Sequence, residues 1–376
     1  MSQTIQPPLM ADQTSQRVIS IDALRGFDMF LIAGGFQIFS GLFKGINSAF
    51  LNTHFKPQLE HVNWQGFSFC DLIMPLFLFI VGAAMPYSFD KRLKGGQGKA
   101  RIYLHVVMRV VILWVLGAMV QGNLLQYDLS KLQLYSNTLQ SIAAGYLFSA
   151  IIMLNLPFIG QFAATVLLLL GYWAVLAFVT VPGHPAGTLT PHINPAIYID
   201  KIVLGRFWPQ DATYSWVLSS MTFTCTVMMG VFGGYLIKSG KNCKEKLMWL
   251  FGSGIACLVV GMVWGRWLPI VKHIWTSSMV LYSGGLCLLL LGFFYLVIDV
   301  WQFKKWAFGF IVIGSNAIAA YMATELFDFR KIGDIFVGGL AKYVGNWNEF
   351  VRAMAAFAVV WVILYWMYRK KTFIKV

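Results

Sequence analysis

Long apolar runs alternate with short polar separators from about residue 22 to the C-terminal end. A helix needs about 20 mostly apolar residues to cross a bilayer core. Ten windows have that character: 22–43, 66–88, 103–121, 138–157, 161–181, 215–237, 247–265, 276–299, 306–326 and 350–368. The pattern predicts an all-α fold, a polytopic transmembrane helix bundle of about ten spans. Residues 1–17 are polar and lack the apolar core and small-residue cleavage site of a signal peptide. They are expected to form a disordered tail before a single transmembrane domain over 18–376, whose first span serves as an uncleaved anchor.

The separators carry the topology. Lys91, Arg92, Lys94, Lys99 and Arg101 follow the second window. Lys238, Lys241, Lys244 and Lys246 follow the sixth, Lys304 and Lys305 the eighth, and Arg369, Lys370, Lys371 and Lys375 the tenth. Every basic cluster follows an even-numbered span, so one orientation satisfies all of them, with both termini cytoplasmic. The loops 44–65, 122–137, 182–214, 266–275 and 327–349 then face the outside, or the periplasm of a double-membrane bacterium. That places the chain in a bacterial inner membrane, with membrane lipids as its surroundings. The stretch PGHPAGTLTPHINP, within 182–214, reads as irregular surface. No inverted pair of broken helices is evident, although such pairs mark many transporters.

Composition agrees with the membrane class. The chain is 58% hydrophobic and 12% charged, with mean hydropathy +0.67; a soluble domain averages about 25% charged residues. The net charge of +14 follows from the cytoplasmic loops, and no basic stripe interleaved with aromatics points to nucleic acid. Cys70, Cys225, Cys243, Cys257 and Cys287 show no CxxC spacing or disulfide framework and read as small packing residues. No metal cluster, Walker loop, HExxH or GxSxG motif is present. Gly230, Gly233 and Gly234 form a small-residue face of the kind on which copies of a chain pack, so a homodimer is an expectation.

Five stretches carry polar groups where lipid disfavours them. In SIDALRGFDMF, Arg25 and Asp28 share a helix face and can pair, either as an anchor for the first span or as a phosphate-binding site. In EHVNWQGFSFCDLIMPLFLF, Asp71 enters the second span, where an acid calls for a polar surrounding. Pro75 frees the Asp71 carbonyl and is expected to kink the helix there. His61 lies ten residues upstream, about 15 Å along a straight helix, so contact with Asp71 requires the loop to fold back. In GSNAIAAYMATELFDF, Asn316, Tyr321 and Glu325 punctuate the ninth span. LPIVKHIWTSSMVL sets Lys272, His273 and Trp275 at the outer edge of the eighth, and YSNTLQSIAAGY sets Asn137 and Gln140 at the start of the fourth. Each of these stretches also fits helix packing or interfacial anchoring.

Taken together and in this order, IDALRGFDMF, EHVNWQGFSFCDLIMPLFLF, NTLQSIAAGY, HIWTSSMVL and IGSNAIAAY resemble the heparan-α-glucosaminide N-acetyltransferase family and its bacterial relatives. The resemblance runs from about residue 17 to the C-terminus and is most specific between His61 and Phe79. It implies a polytopic enzyme that takes acetyl from cytoplasmic acetyl-CoA and delivers it to an amino sugar on the far side. The family's His-x-x-Trp stretch before an Asp-Leu-x-x-Pro helix falls on His61, Trp64, Asp71, Leu72 and Pro75. The chain departs from the family at Gln37, where many members have Asn, and at Ser141, where many have Arg.

The resulting expectations are His61 as general base or acetyl carrier, with Asp71 orienting it. Trp64, Asn137, Gln140, Trp275, Asn316 and Glu325 are the candidates for substrate binding, with Gln140 and Asn316 also candidates for the oxyanion. Arg25, Asp28, Lys91 and Arg92 are the candidates around the CoA phosphates. The rivals are a transporter or flippase for a glycan or lipid precursor, and a catalytically degenerate sugar-binding relative.

Overall fold

The computed structural model describes residues 18–209 and 212–374; the polar tail 1–17 and Lys375 lie outside them. The regular structure of the described residues is helical, apart from one isolated β-bridge between Gln65 and Val271. Among the described residues, nine helices are long and apolar enough to cross a membrane, and a bent pair brings the number to ten.

The first span, α1 (Ile19–Ile46), is interrupted by a π turn at Leu31–Gly35. Gly34 takes φ 154° there, a conformation that residues with a Cβ rarely adopt. A 3-10 turn (Phe69–Leu72) leads into α2 (Ile73–Lys94), followed by α3 (Lys99–Val120), α4 (Thr138–Asn155) and α5 (Phe158–Phe178). Asn137 caps α4 by accepting from the amides of Leu139 and Gln140. After α5 the structure departs from the expected irregular loop. Asn194 caps, and Pro195 begins, a ten-residue helix α6 (Pro195–Leu204), a start signal that the surrounding Pro and Gly obscured. Then come α7 (Ser220–Lys238), α8 (Cys243–Trp264) and α9 (Ser277–Phe294).

The ninth expected span is two helices, α10 (Phe308–Gly314) and α11 (Ala317–Leu326), bent by 65°. An amphipathic helix α12 (Phe329–Ala341) occupies what the sequence suggested was loop, and α13 (Asn348–Arg369) closes the bundle. The chain therefore has two helix discontinuities, one in α1 and one between α10 and α11, and α11 packs against the π turn of α1.

α2 and α7 form the centre and are the most buried spans. Their backbones meet at glycine. A Cβ on Gly82 would fall on the Val227 carbonyl, one on Gly230 on the Phe79 carbonyl, and one on Gly234 on the Ala83 carbonyl, each closer than atoms can approach. Gly230 and Gly234 are thus engaged inside the chain and do not form the free face on which copies were expected to pack. α3, α5 and α8 form the outside, with Leu104, Met108, Val111, Ile159 and Leu167 exposed as lipid-facing groups are. Pro75 is the third residue of α2. An amide there has no intrahelical partner in any case, so the expected kink has no cause.

Loops gather at two ends. At the basic end, Lys94 and Lys238 both pair with Asp90, and Lys238 also donates to the Pro86 carbonyl. At the other end, the loops 60–72, 212–218 and 266–276 interlock. The bridge at Val271, a bond from the Gly66 amide to the Ile270 carbonyl, and one from the Ser215 amide to the His273 carbonyl hold them together.

Candidate active site

The loop 60–68 folds back over the start of α2, with Gly66 at φ 123° making the turn. It carries His61 to Asp71: the imidazole Nδ1 lies 2.8 Å from Asp71 Oδ1. The other carboxylate oxygen, Oδ2, accepts from the backbone amides of Val62 (3.3 Å) and Ser68 (3.1 Å), with the Ser68 hydroxyl 3.0 Å away. A buried acid in a membrane protein is tolerated when such partners replace water, and Asp71 has them on both oxygens.

A third group completes the arrangement. The Lys272 ammonium reaches in from the 266–276 loop, 3.2 Å from Asp71 Oδ1 and 3.2 Å from His61 Nδ1. Its loop is braced by Thr276, whose hydroxyl donates to the Pro269 carbonyl and accepts from the Val271 amide. With its proton on Nδ1, His61 donates to Asp71 and leaves the Nε2 lone pair free, 3.8 Å from Cys70 Sγ. The hydrogen bond to Asp71, and then the contact with Cys70, hold the imidazole up to about 9, against burial and the Lys272 charge. Burial pushes Lys272 below the ordinary lysine range, with Asp71 opposing it. Burial and the adjacent Lys272 charge push the neighbouring His273 down to about 4.

The cluster opens onto a cavity of about 420 Å³, within the ~300–1,000 Å³ of small-molecule sites. Cys70, Ile73, Met74 and Phe77 present one face of the second span to it, the spacing of a single helix stripe. Opposite stand Gln37, beyond the π turn of α1, and Tyr321 and Glu325 of α11. Tyr214 and Trp216, stacked with centroids 5.6 Å apart, form a further wall. Asp200 of α6 fixes that wall by accepting from the amides of Trp216, Val217 and Leu218. Glu325, exposed on α11, lines the cavity with no hydrogen-bond or ion-pair partner among the described residues. A second cavity of about 440 Å³ adjoins the first across Gln37 and Glu325 and reaches Asp328 and Arg330.

Residues 17–199 match a family described as a domain of unknown function, DUF5009. The heparan-alpha-glucosaminide N-acetyltransferase of Mus musculus is 23% identical over 378 residues, covering 84% of this chain and 56% of that protein. The Homo sapiens protein of the same name is 22% identical over 380 residues, with the same coverage. The chain is similar to these acetyltransferases at low identity. It spans just over half the length of the curated relatives it matches.

The other expected residues fall in several places. Trp64 donates its indole N–H to the Leu189 carbonyl and packs beside His273, bracing the outer loops. Asn137 caps α4 and donates to the Gly117 carbonyl. Gln140 accepts from the Ser136 amide and donates to the Leu134 carbonyl, shaping the loop whose Ser136 and Thr138 line the cavity. Trp275 is fully buried and donates to Thr226. Asn316 sits at the bend between α10 and α11 and is held by the backbone of Thr372 and Ile374. Of the six expected substrate-binding residues, Glu325 is the one that lines the cavity beside His61.

Arg25 pairs with Asp22 at 3.1 Å and not with Asp28. Asp28 is buried, with neither carboxylate oxygen hydrogen-bonded among the described residues. Arg92 contacts His105 and Gln97, and Lys91 is exposed. Lys91 and Arg92 lie at the far end of the 22-residue α2 from His61, about 30 Å away.

Sequence reasoning missed three elements of this site. Lys272 was read as an interfacial residue because nothing local links it to Asp71, 201 positions away. Cys70 was read as packing, although it stands next to the one acid of its span. Tyr214 and Trp216 fall on either side of the boundary between the loop 182–214 and the sixth window, 215–237, where nothing in the sequence marks them as a wall.

Proposed function

We propose that the protein is a transmembrane acetyltransferase that moves acetyl from acetyl-CoA to an amino sugar, using His61 at the outer mouth of the bundle. The observation that carries this reading is the convergence of His61, Asp71 and Lys272 at a cavity of substrate size. Asp71 fixes the imidazole so that one nitrogen faces the cavity, the geometry of a general base or acyl carrier. Lys272 supplies a positive charge beside the place where a thioester carbonyl would become an oxyanion, a role for which Gln140 and Asn316 are not free. Glu325, unpaired at the opposite wall, is a carboxylate for the acceptor's ammonium group, and Gln37 an amide for its hydroxyls. The basic end, with Arg25, Lys91 and Arg92, faces the cytoplasm of a bacterial inner membrane and meets the anionic part of CoA, so that donor and acceptor reach the site from opposite sides.

The test is transfer of radiolabelled acetyl from acetyl-CoA to glucosamine by detergent-purified protein. Wild type is expected to label the sugar, and His61→Ala to do so at least about a hundredfold more slowly. Full activity in His61→Ala removes the role of His61. No labelled sugar, together with no stabilisation of the protein by acetyl-CoA in thermal unfolding, removes the transferase reading.

A further inference from the structure

The geometry points to Cys70 as the atom that carries the acyl group: a nucleophile activated by His61 that forms a thioester on the enzyme. The inference rests on the acetyltransferase reading above and goes beyond it. Cys70 is not an isolated thiol. Its sulfur lies 3.8 Å from His61 Nε2, the nitrogen turned away from Asp71, while Nδ1 is 2.8 Å from the carboxylate. Nucleophile, base and orienting acid are therefore in sequence, the arrangement by which a thiol is activated in covalent catalysis.

The sulfur also faces the right space. Cys70 shares with Ile73, Met74 and Phe77 the stripe of the second span that lines the cavity, opposite Glu325. The other cysteines do not combine these features: Cys225 and Cys287 are 0% exposed within the bundle, Cys257 lies on α8, and Cys243 begins α8 at the basic end. The Lys272 ammonium, 3.2 Å from both His61 Nδ1 and Asp71 Oδ1, places a positive charge beside the base. Reactive cysteines sit in such electropositive, partly open surroundings.

The chemistry balances with an acyl thioester as the only donor. With His61 neutral and its proton on Nδ1, Cys70 gives its proton to Nε2, and its sulfur attacks the acyl carbon. A new carbon–sulfur bond forms, the bond to the CoA sulfur breaks, and the departing thiolate takes the proton back from His61. The acceptor amine then attacks the acyl-Cys70 carbon. A carbon–nitrogen bond forms, the bond to Cys70 breaks, and the proton lost by nitrogen returns through His61 to the sulfur. One thioester replaces another in the first step, so no oxidant, reductant or other energy source is required.

The experiment uses the full chain in detergent with radiolabelled acetyl-CoA and no acceptor, quenched in acid and mapped by peptide mass spectrometry. The expected result is one acetyl group on Cys70, released by neutral hydroxylamine, chased onto added glucosamine, and absent in Cys70→Ala. Transfer to glucosamine by Cys70→Ala is expected to fall at least about a hundredfold. Labelled Cys70 without transfer to glucosamine supports the acyl carrier and counts against the amino-sugar acceptor instead. Transfer that persists in Cys70→Ala, or a label on His61, overturns the inference and leaves the transferase reading intact. A second arm does not depend on turnover: iodoacetamide should alkylate Cys70 at pH 7 more than tenfold faster in wild type than in His61→Ala. Equal rates, in variants with the thermal stability of wild type, overturn the activation of Cys70 by His61.

Discussion

At the scale of single residues, Asp71 is the hub. Five polar groups that would otherwise be costly at a membrane interface, two amides, the Ser68 hydroxyl and the His61 and Lys272 side chains, converge on its carboxylate. The consequence for His61 is a pH effect with a definite sign. The imidazole titrates near 6.5 when unfolded and near 9 in the folded protein, so the native state binds more protons than the unfolded one between those values. The stability contributed by protonated His61 is complete below about 6.5 and is lost as pH rises through about 9. Asp71, Cys70, Lys272 and His273 face or adjoin the same cluster, so the measurement must be a difference: unfolding temperatures of wild type and His61→Gln between pH 6 and 10. The gap in favour of wild type should shrink as pH rises; a gap that widens would mean that the Lys272 charge, and not Asp71, governs the imidazole. The pair was only half legible in the sequence. A separation of ten residues argues against contact on a helix, and the resemblance, not the spacing, drew His61 and Asp71 together. Lys272 had no local signature at all, because loop-to-loop pairing across the chain leaves no period to read.

At the scale of elements, the apolar windows located nearly every span, because length and hydropathy alone decide what can cross a bilayer. What they could not show was where a span breaks. The π turn in α1 occurs within continuous apolar sequence, and the 65° bend between α10 and α11 falls at Ser315 and Asn316, two polar residues inside an otherwise apolar window. Both discontinuities border the cavity: Leu31 and Ile32 of the π turn, and Tyr321 and Glu325 of α11, line it. Small residues carried a second ambiguity. Gly230 could have faced a second copy or a neighbouring helix, and the structure sets it against the Phe79 carbonyl of α2. Gly230→Ala should therefore destabilise the protein by about 1–3 kcal/mol, the usual cost of overpacking. Gly252→Ala, on α8 where a Cβ meets open space, should be neutral or slightly stabilising, since alanine favours helix by up to ~1 kcal/mol. Thermal unfolding of the two variants in detergent checks this, and equal melting temperatures would mean that α2 and α7 do not meet backbone to backbone.

At the scale of the whole molecule, the two ends of the bundle differ in kind. One end gathers basic loops, where Lys94 and Lys238 crowd around Asp90. The other gathers the interlocked loops that hold His61, Lys272, Tyr214 and Trp216. The alternation of Lys and Arg between successive loops argues that the basic end is cytoplasmic, which makes the His61 end the outer one. A thioester donor made inside the cell and an acceptor found outside it would then meet at the cavity between α1, α2 and α11. Two thiols read this orientation. Cys243 is exposed in the basic region, and Asp128→Cys places a second thiol on the exposed loop after α3, where Asp128 contacts only Ser130 and Lys131. In intact cells, a membrane-impermeant maleimide should label Asp128→Cys at once and Cys243 only after permeabilisation. The reverse pattern would invert the molecule. It would put His61 and Lys272 on the cytoplasmic side, where donor and acceptor share one compartment, and the transfer would then involve no crossing of the membrane.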